Sequence, residues 1–144
     1  MRKHVTMAPG RSRRRRGANA IEFGLTLPVF LAITMGMIEF GWYFSRVALV
    51  NTAIMDGCRE GGLIDEDESD PVPVAETRMD DILASGGLSC TACNATLVGT
   101  VPNRVIQCDA SIDYNGLTGW FTALGVMPNT ITGRTQVRLE WQRI

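Results

Sequence analysis

Four cysteines, Cys58, Cys90, Cys93 and Cys108, are the residues with the most evident chemical capacity. An even number fits two disulfides, for which three connectivities exist. Cys90-Thr-Ala-Cys93 also has the spacing of half a zinc site. The other two cysteines are far apart, and the single histidine, His4, lies before the apolar segment described below, so no metal is expected. Thioredoxin-like redox chemistry needs a βαβ pattern that this short chain lacks. No serine occupies a nucleophile-elbow motif, and the acidic residues gather in Asp65-Glu66-Asp67-Glu68-Ser69-Asp70 instead of forming a spaced pair. That run lacks the ordered alternation and glycine of a calcium loop and reads as solvated. No catalytic residue and no cofactor is expected; the chain does not read as an enzyme.

Two carboxylates stand where charge is expensive. Glu22 opens, and Glu39 nearly closes, a run of apolar residues. A carboxylate entering hydrocarbon costs several kcal/mol on most scales unless paired. Just before Glu22 the chain reads Arg13-Arg-Arg-Arg16-Gly17-Ala18. Secretory signals are cut after their apolar region, at a small-x-small site. Here a small residue, Gly17, precedes the apolar region, so cutting after it would remove the basic leader and keep the helix. The new α-ammonium of Ala18 would then lie one helical turn from Glu22, able to neutralise it within the chain or in a neighbouring subunit. Ser12-Arg13-Arg14 also invites a twin-arginine reading, against which stand the early glutamate and the absence of a later cleavage site. Glu39 is expected near the outer membrane interface and hydrated there, where a structural role and an assembly contact are both open.

The element that positions these groups is a helix. Phe23 to Ile38 carries no charge, and Ala18 to Phe44 is long enough to cross a bilayer, which needs roughly 20 mostly apolar residues. A backbone in lipid must satisfy its own hydrogen bonds, so the segment is helical, with Pro28 kinking it or opening one hydrogen bond. Seven of the 14 Lys and Arg residues precede Gly17, and all 15 Asp and Glu residues follow it. From Ala18 onward the formal charge is 7 − 15 = −8, which excludes nucleic acid as a partner of the folded part. The basic run instead sets topology: N-terminus in the cytoplasm, everything after about Arg46 outside, Trp42 and Tyr43 at the outer interface.

Beyond the bilayer, Val47, Leu49, Val50, Ala53, Ile54, Cys58 and Gly61 continue one apolar helical stripe that Gly61-Gly62 ends. A helix from Ala18 to Gly62 would be roughly 67 Å long at 1.5 Å per residue. A second helix is expected from about Val74 to Ser85. Strands are expected over 95–101, 104–114 and 130–142, the first two joined by a hairpin at Pro102-Asn103. In the second strand Ile106, Cys108, Ala110, Ile112 and Tyr114 alternate with polar residues; in the third Ile131, Val137, Leu139 and Trp141 do so. Three strands cannot bury that face alone, but the helix stripe can cover it. The expected fold is therefore α+β: a long N-terminal transmembrane helix packed by a small three-stranded antiparallel sheet. The divisions are a basic, unstructured leader (1–17), a transmembrane and amphipathic helix (18–62) and an external α+β domain (63–144). Cys108 on the buried face and Cys58 on the covering stripe favour pairing of these two, with Cys90 joined to Cys93 in a loop before the first strand. A bridge from that loop to the helix or strand stays open. The apolar connection Leu117–Met127 either closes the core or forms an exposed patch for a partner or the bilayer surface.

Gly17-Ala18-Asn19-Ala20-Ile21-Glu22-Phe23, followed by a proline-containing apolar helix, resembles the start of type IV prepilins, and more closely the TadE-like pseudopilins of tight-adherence (Tad, or Flp) pilus systems. Met37-Ile38-Glu39-Phe40-Gly41 is similar to that family as well, and Thr132 to Glu140 looks like its terminal strand. The resemblance implies a minor pilin or pseudopilin, cut between Gly17 and Ala18 by a prepilin peptidase, with Glu22 fifth in the mature chain. Glu22, Phe23 and Glu39 become candidate assembly residues. The implied partners are the peptidase, other pilins or pseudopilins, the assembly platform and membrane lipid. The implied location is the inner membrane, single-pass, with the C-terminal domain periplasmic or extracellular. The alternative is an unprocessed, membrane-anchored periplasmic binding or scaffold protein.

Overall fold

A computed structural model describes residues 12–65, 69–100 and 103–140, with the backbone alone for 12–18. Residues 1–11, Glu66 to Glu68, Pro102 and Trp141, on which some of the expectations above fall, lie outside the described residues. The chain divides into two compact units that meet in sequence between Ile38 and Glu39.

Helix α1 spans Ser12–Gly62. It starts inside the basic run expected to be unstructured. Arginine is a good helix former, and the stretch from Ser12 to Arg16 holds neither proline nor glycine to stop propagation. Helical assignment continues through Pro28. Proline has no N–H to give the carbonyl one turn back, which belongs to Gly24. One turn earlier, the Thr26 hydroxyl donates to the Glu22 and Phe23 carbonyls, at 3.1 and 3.2 Å.

In the second unit, the outer part of α1 joins α2 (Pro71–Ser85) and a sheet around one core. Val50, Ala53, Ile54 and Cys58 of α1 are all at most 1% exposed. Two glycines one turn apart let α2 approach α1 closely. A methyl group on Gly57 would overlap Met79 and lie 2.9 Å from the Ala75 carbonyl oxygen; one on Gly61 would lie 2.8 Å from Ile106 and 2.9 Å from Ala75. Helix α2 starts three residues before its expected Val74. Asp70 caps it by accepting the Val72 N–H at 3.0 Å, and Pro71 and Pro73 sit in the first turn. Prolines read as loop residues are tolerated there, because a first-turn N–H has no intrahelical acceptor to lose.

The sheet is an antiparallel meander, β1 (Ala92–Val98), β2 (Val105–Asp113) and β3 (Thr130–Arg138), in that spatial order. Ile106, Cys108, Ala110 and Ile112 of β2 are buried, as alternation requires of a strand with one face on a core. Strand β1 begins three residues earlier than expected, so Cys93 lies in the strand, opposite Ala110, and not in a preceding loop. Two contacts tie α2 into this frame. Glu76 Oε1 accepts the Ala95 N–H of β1 at 3.0 Å, and Arg46 of α1 donates to the Gly86 carbonyl at 2.6 Å, just past the C-terminus of α2. This is α+β architecture, with the sheet packed on the long N-terminal helix.

Candidate functional site

The described part of the first unit offers an apolar surface. From Asn19 to Ile38 the only ionisable side chain is Glu22. Phe23, Leu25, Phe30 and Met37 are each more than 60% exposed, and no residue of the most apolar part of the helix is buried in this chain. Apolar side chains standing out on every side of a helix need lipid or other helices around them. By length and composition this helix can cross a membrane, and it is the chain's membrane-anchoring element. Glu22 is exposed, and no described residue pairs with its carboxylate. Gly17 and Ala18 lie within the helical backbone of α1.

The second unit contains a buried carboxylate. Glu39 is 1% exposed, which overturns the expectation that it is hydrated. Its Oε2 accepts both the backbone N–H of Thr118 at 3.2 Å and the Thr118 hydroxyl at 3.1 Å. Its Oε1 and the Thr122 hydroxyl are buried without a hydrogen-bond partner. Gly116 is packed so tightly on this carboxylate that any Cβ there would overlap Oε1. Tyr43 and Tyr114 cross edge to face nearby, centroids 5.3 Å apart. Burial pushes the Tyr114 phenol up from its ordinary value; the Glu39 charge and Tyr43 add to this, and Arg46 opposes it. Sequence reasoning missed Gly116 and Thr118 as partners, yet a signal existed. Glu39, Tyr43, Val47, Val50, Ile54 and Cys58 recur at three- and four-residue spacing, so running the apolar stripe backward places Glu39 on the buried face.

The structure bonds Cys58 to Cys108, 50 residues apart, and Cys90 to Cys93. The Asp80 carboxylate comes close to the sulfurs of Cys90 and Cys93. Those sulfurs are bonded to each other, so they are not the free thiolates that metal binding requires. On the open face of the sheet Asp109 pairs with Arg134 and accepts from Gln107 at 3.1 Å. Burial tends to raise the Asp109 carboxyl, but hydrogen bonds from Arg134 and Gln107 and the guanidinium charge outweigh it and hold the group below its ordinary value. The depression around it is lined by Asn94, Ser111, Thr132 and the Asp109–Arg134 pair. It offers hydrogen bonds and one neutralised charge pair.

The connection from Leu117 to Met127 divides its side chains. Met127 is buried, and Phe121, in the short helix α3 (Trp120–Ala123), packs on Phe40 with centroids 6.2 Å apart. Leu117, Trp120, Leu124 and Val126 point outward, Trp120 at 73% exposure. The segment thus closes the core with one set of side chains and leaves another set exposed.

Residues 17–59 match the family of TadE-like proteins. The match covers the anchor helix and its continuation into the core, with Gly17, Ala18, Glu22, Phe23, Glu39 and Cys58 inside it. Comparison with curated proteins and with solved structures gives no match.

Proposed function

We propose that this chain, TadE-like over residues 17–59, is a minor pilin or pseudopilin of a Tad-type pilus, a non-catalytic subunit that enters the fibre or primes its assembly. The observation that carries this reading is α1 itself: an exposed apolar helix surface with a single carboxylate, Glu22, near its start and no partner for it among the described residues. A bundle of like helices covers such a surface, and an ammonium one turn away neutralises such a charge. In this reading residues 1–17 are a leader and 18–62 the anchor and packing helix. Residues 63–144 form the external domain, outside the inner membrane, with the N-terminus in the cytoplasm. A prepilin peptidase cuts between Gly17 and Ala18. Glu22 and Phe23 then contact neighbouring pilins or the assembly platform, and the Glu39 pocket shapes the outer end of the anchor.

One observation favours the alternative, an unprocessed membrane-anchored binding or scaffold protein. The backbone of α1 is helical across Gly17 and Ala18, so the Gly17 carbonyl is engaged in the helical ladder and the turn must open before cleavage. The N-terminal residue of protein isolated from its native membrane separates the two. Ala18 supports the pilin reading; Met1 or Arg2 supports the anchored scaffold. If Glu22 pairs as proposed, Glu22→Ala inserts normally but no longer co-purifies with pilus components.

A further inference from the structure

We infer that the Leu117–Val126 loop is a second membrane contact, lying in the headgroup layer of the outer leaflet. This rests on the reading of α1 as a membrane span. The loop is fixed to α1 at Glu39 and Phe40, through Thr118 and Phe121 respectively. Those two residues directly follow the uncharged stretch from Phe23 to Ile38. Asn19 to Glu39 rises roughly 30 Å at 1.5 Å per residue, the thickness of a bilayer's hydrocarbon core. A loop pinned at Glu39 is therefore held at the boundary between hydrocarbon and headgroups.

Its composition suits that depth. From Asn115 to Asn129 there is no charged residue. Leu117, Trp120, Leu124 and Val126 are each more than half exposed, while Phe121 and Met127 of the same loop face the core. The outward set is thus an uncovered face and not a poorly packed interior. An exposed tryptophan with aliphatic neighbours is the side-chain set that partitions into the membrane interface, where the ring is dehydrated and the indole N–H still finds a polar partner. Trp42, three residues after Glu39 on α1, lies under the Arg46 guanidinium at 4.2 Å, a second indole paired with a cation. A protein partner for the loop would need to sit at the membrane surface itself.

The test uses the full chain in vesicles of phosphatidylethanolamine and phosphatidylglycerol, with Trp42→Phe and Trp141→Phe leaving Trp120 as the sole tryptophan. Lipids brominated near the headgroup should remove most of the Trp120 emission, lipids brominated near the chain ends little of it, and aqueous iodide little. Retention of the protein in the membrane after an alkaline carbonate wash tests the span separately. Loss in the wash would overturn the span and this inference together. Retention with Trp120 quenched by iodide and not by bromolipid would overturn the inference alone. Retention with Trp120 shielded from both quenchers would show the loop covered by protein, such as a second copy, and would also overturn it.

Discussion

Thr118 gives both its backbone N–H and its hydroxyl to one carboxylate oxygen of Glu39, a residue 79 positions earlier in the chain. Those two bonds, with the packing of Phe121 on Phe40, fix the 115–127 loop on α1. Glu39→Ala removes both charge-assisted bonds at once, at a cost of about 1–3 kcal/mol. Amide hydrogen exchange at Thr118 should quicken more than exchange in β2. Unchanged protection at Thr118 would show that Phe121 packing alone fixes the loop.

Gly57 marks the closest approach of α1 and α2. A methyl group there overlaps Met79 and crowds the Ala75 carbonyl. Gly57→Ala should therefore lower stability by about 1–3 kcal/mol, although alanine is the better helix former. Gly24→Ala, where added carbon meets nothing, serves as the comparison and should not lower the melting temperature of the external domain. Equal melting curves for the two variants would rule out close packing as the reason for glycine at 57.

The two disulfides should differ in weight. Cys58–Cys108 closes a loop of 50 residues between helix and strand, whereas Cys90–Cys93 closes one of 3. Chain entropy assigns the long bridge about 2–4 kcal/mol and the short one less. Cys58→Ala with Cys108→Ala should thus lower the melting temperature clearly more than Cys90→Ala with Cys93→Ala. Non-reducing peptide mapping of membrane-isolated protein checks the pairing; free thiols at Cys58 and Cys108 would mean that packing alone holds the sheet.

Asp109 links the open sheet face to pH. Its folded-state carboxyl is held below its ordinary value, so its contribution to stability is present above the unfolded value of about 4 and disappears as pH falls through the lower folded value. Arg134 is largely exposed, at 67%, so solvent screens the pair and the contribution is at most about 1 kcal/mol. Asp109→Asn should flatten the acid limb of the stability curve while leaving the curve above pH 6 nearly parallel to wild type. A parallel acid limb would show that the pair does not matter to folding.

Much of the fold is legible because two periodicities are strong. Period-two burial in Ile106, Cys108, Ala110 and Ile112 identifies a one-sided strand, and the α1 stripe supplies the cover such a strand needs. What escapes sequence reading depends on contacts between distant residues or on rules that depend on position. Pro71 and Pro73 signal a loop in general but a helix start when Asp70 caps them. Glu39 reads as a surface charge by type, and only the distant Gly116 and Thr118 make its burial possible. The early start of α1 at Ser12 reflects arginine propensity, which the charge pattern hides. The proposed cleavage pair Gly17–Ala18 and the proposed assembly residue Glu22 are recognisable from their order along the chain, whereas a fold of one chain carries no signal of the molecules that would act on them.

The order of synthesis gives the α1–β3 contact a further meaning. Gly133 of β3 sits against Ile54 of α1, a methyl at 133 lying 2.5 Å from Ile54 Cδ1. Ile54 leaves the ribosome about 80 residues before its cover does, a delay of roughly 4–16 s at ~5–20 residues per second. Throughout that interval the side of Ile54 that β3 covers stays open to chaperones, proteases or another copy of the chain. A nascent chain stalled before Thr130 would keep that surface open, so the last strand made decides whether the first helix is left in a protected state.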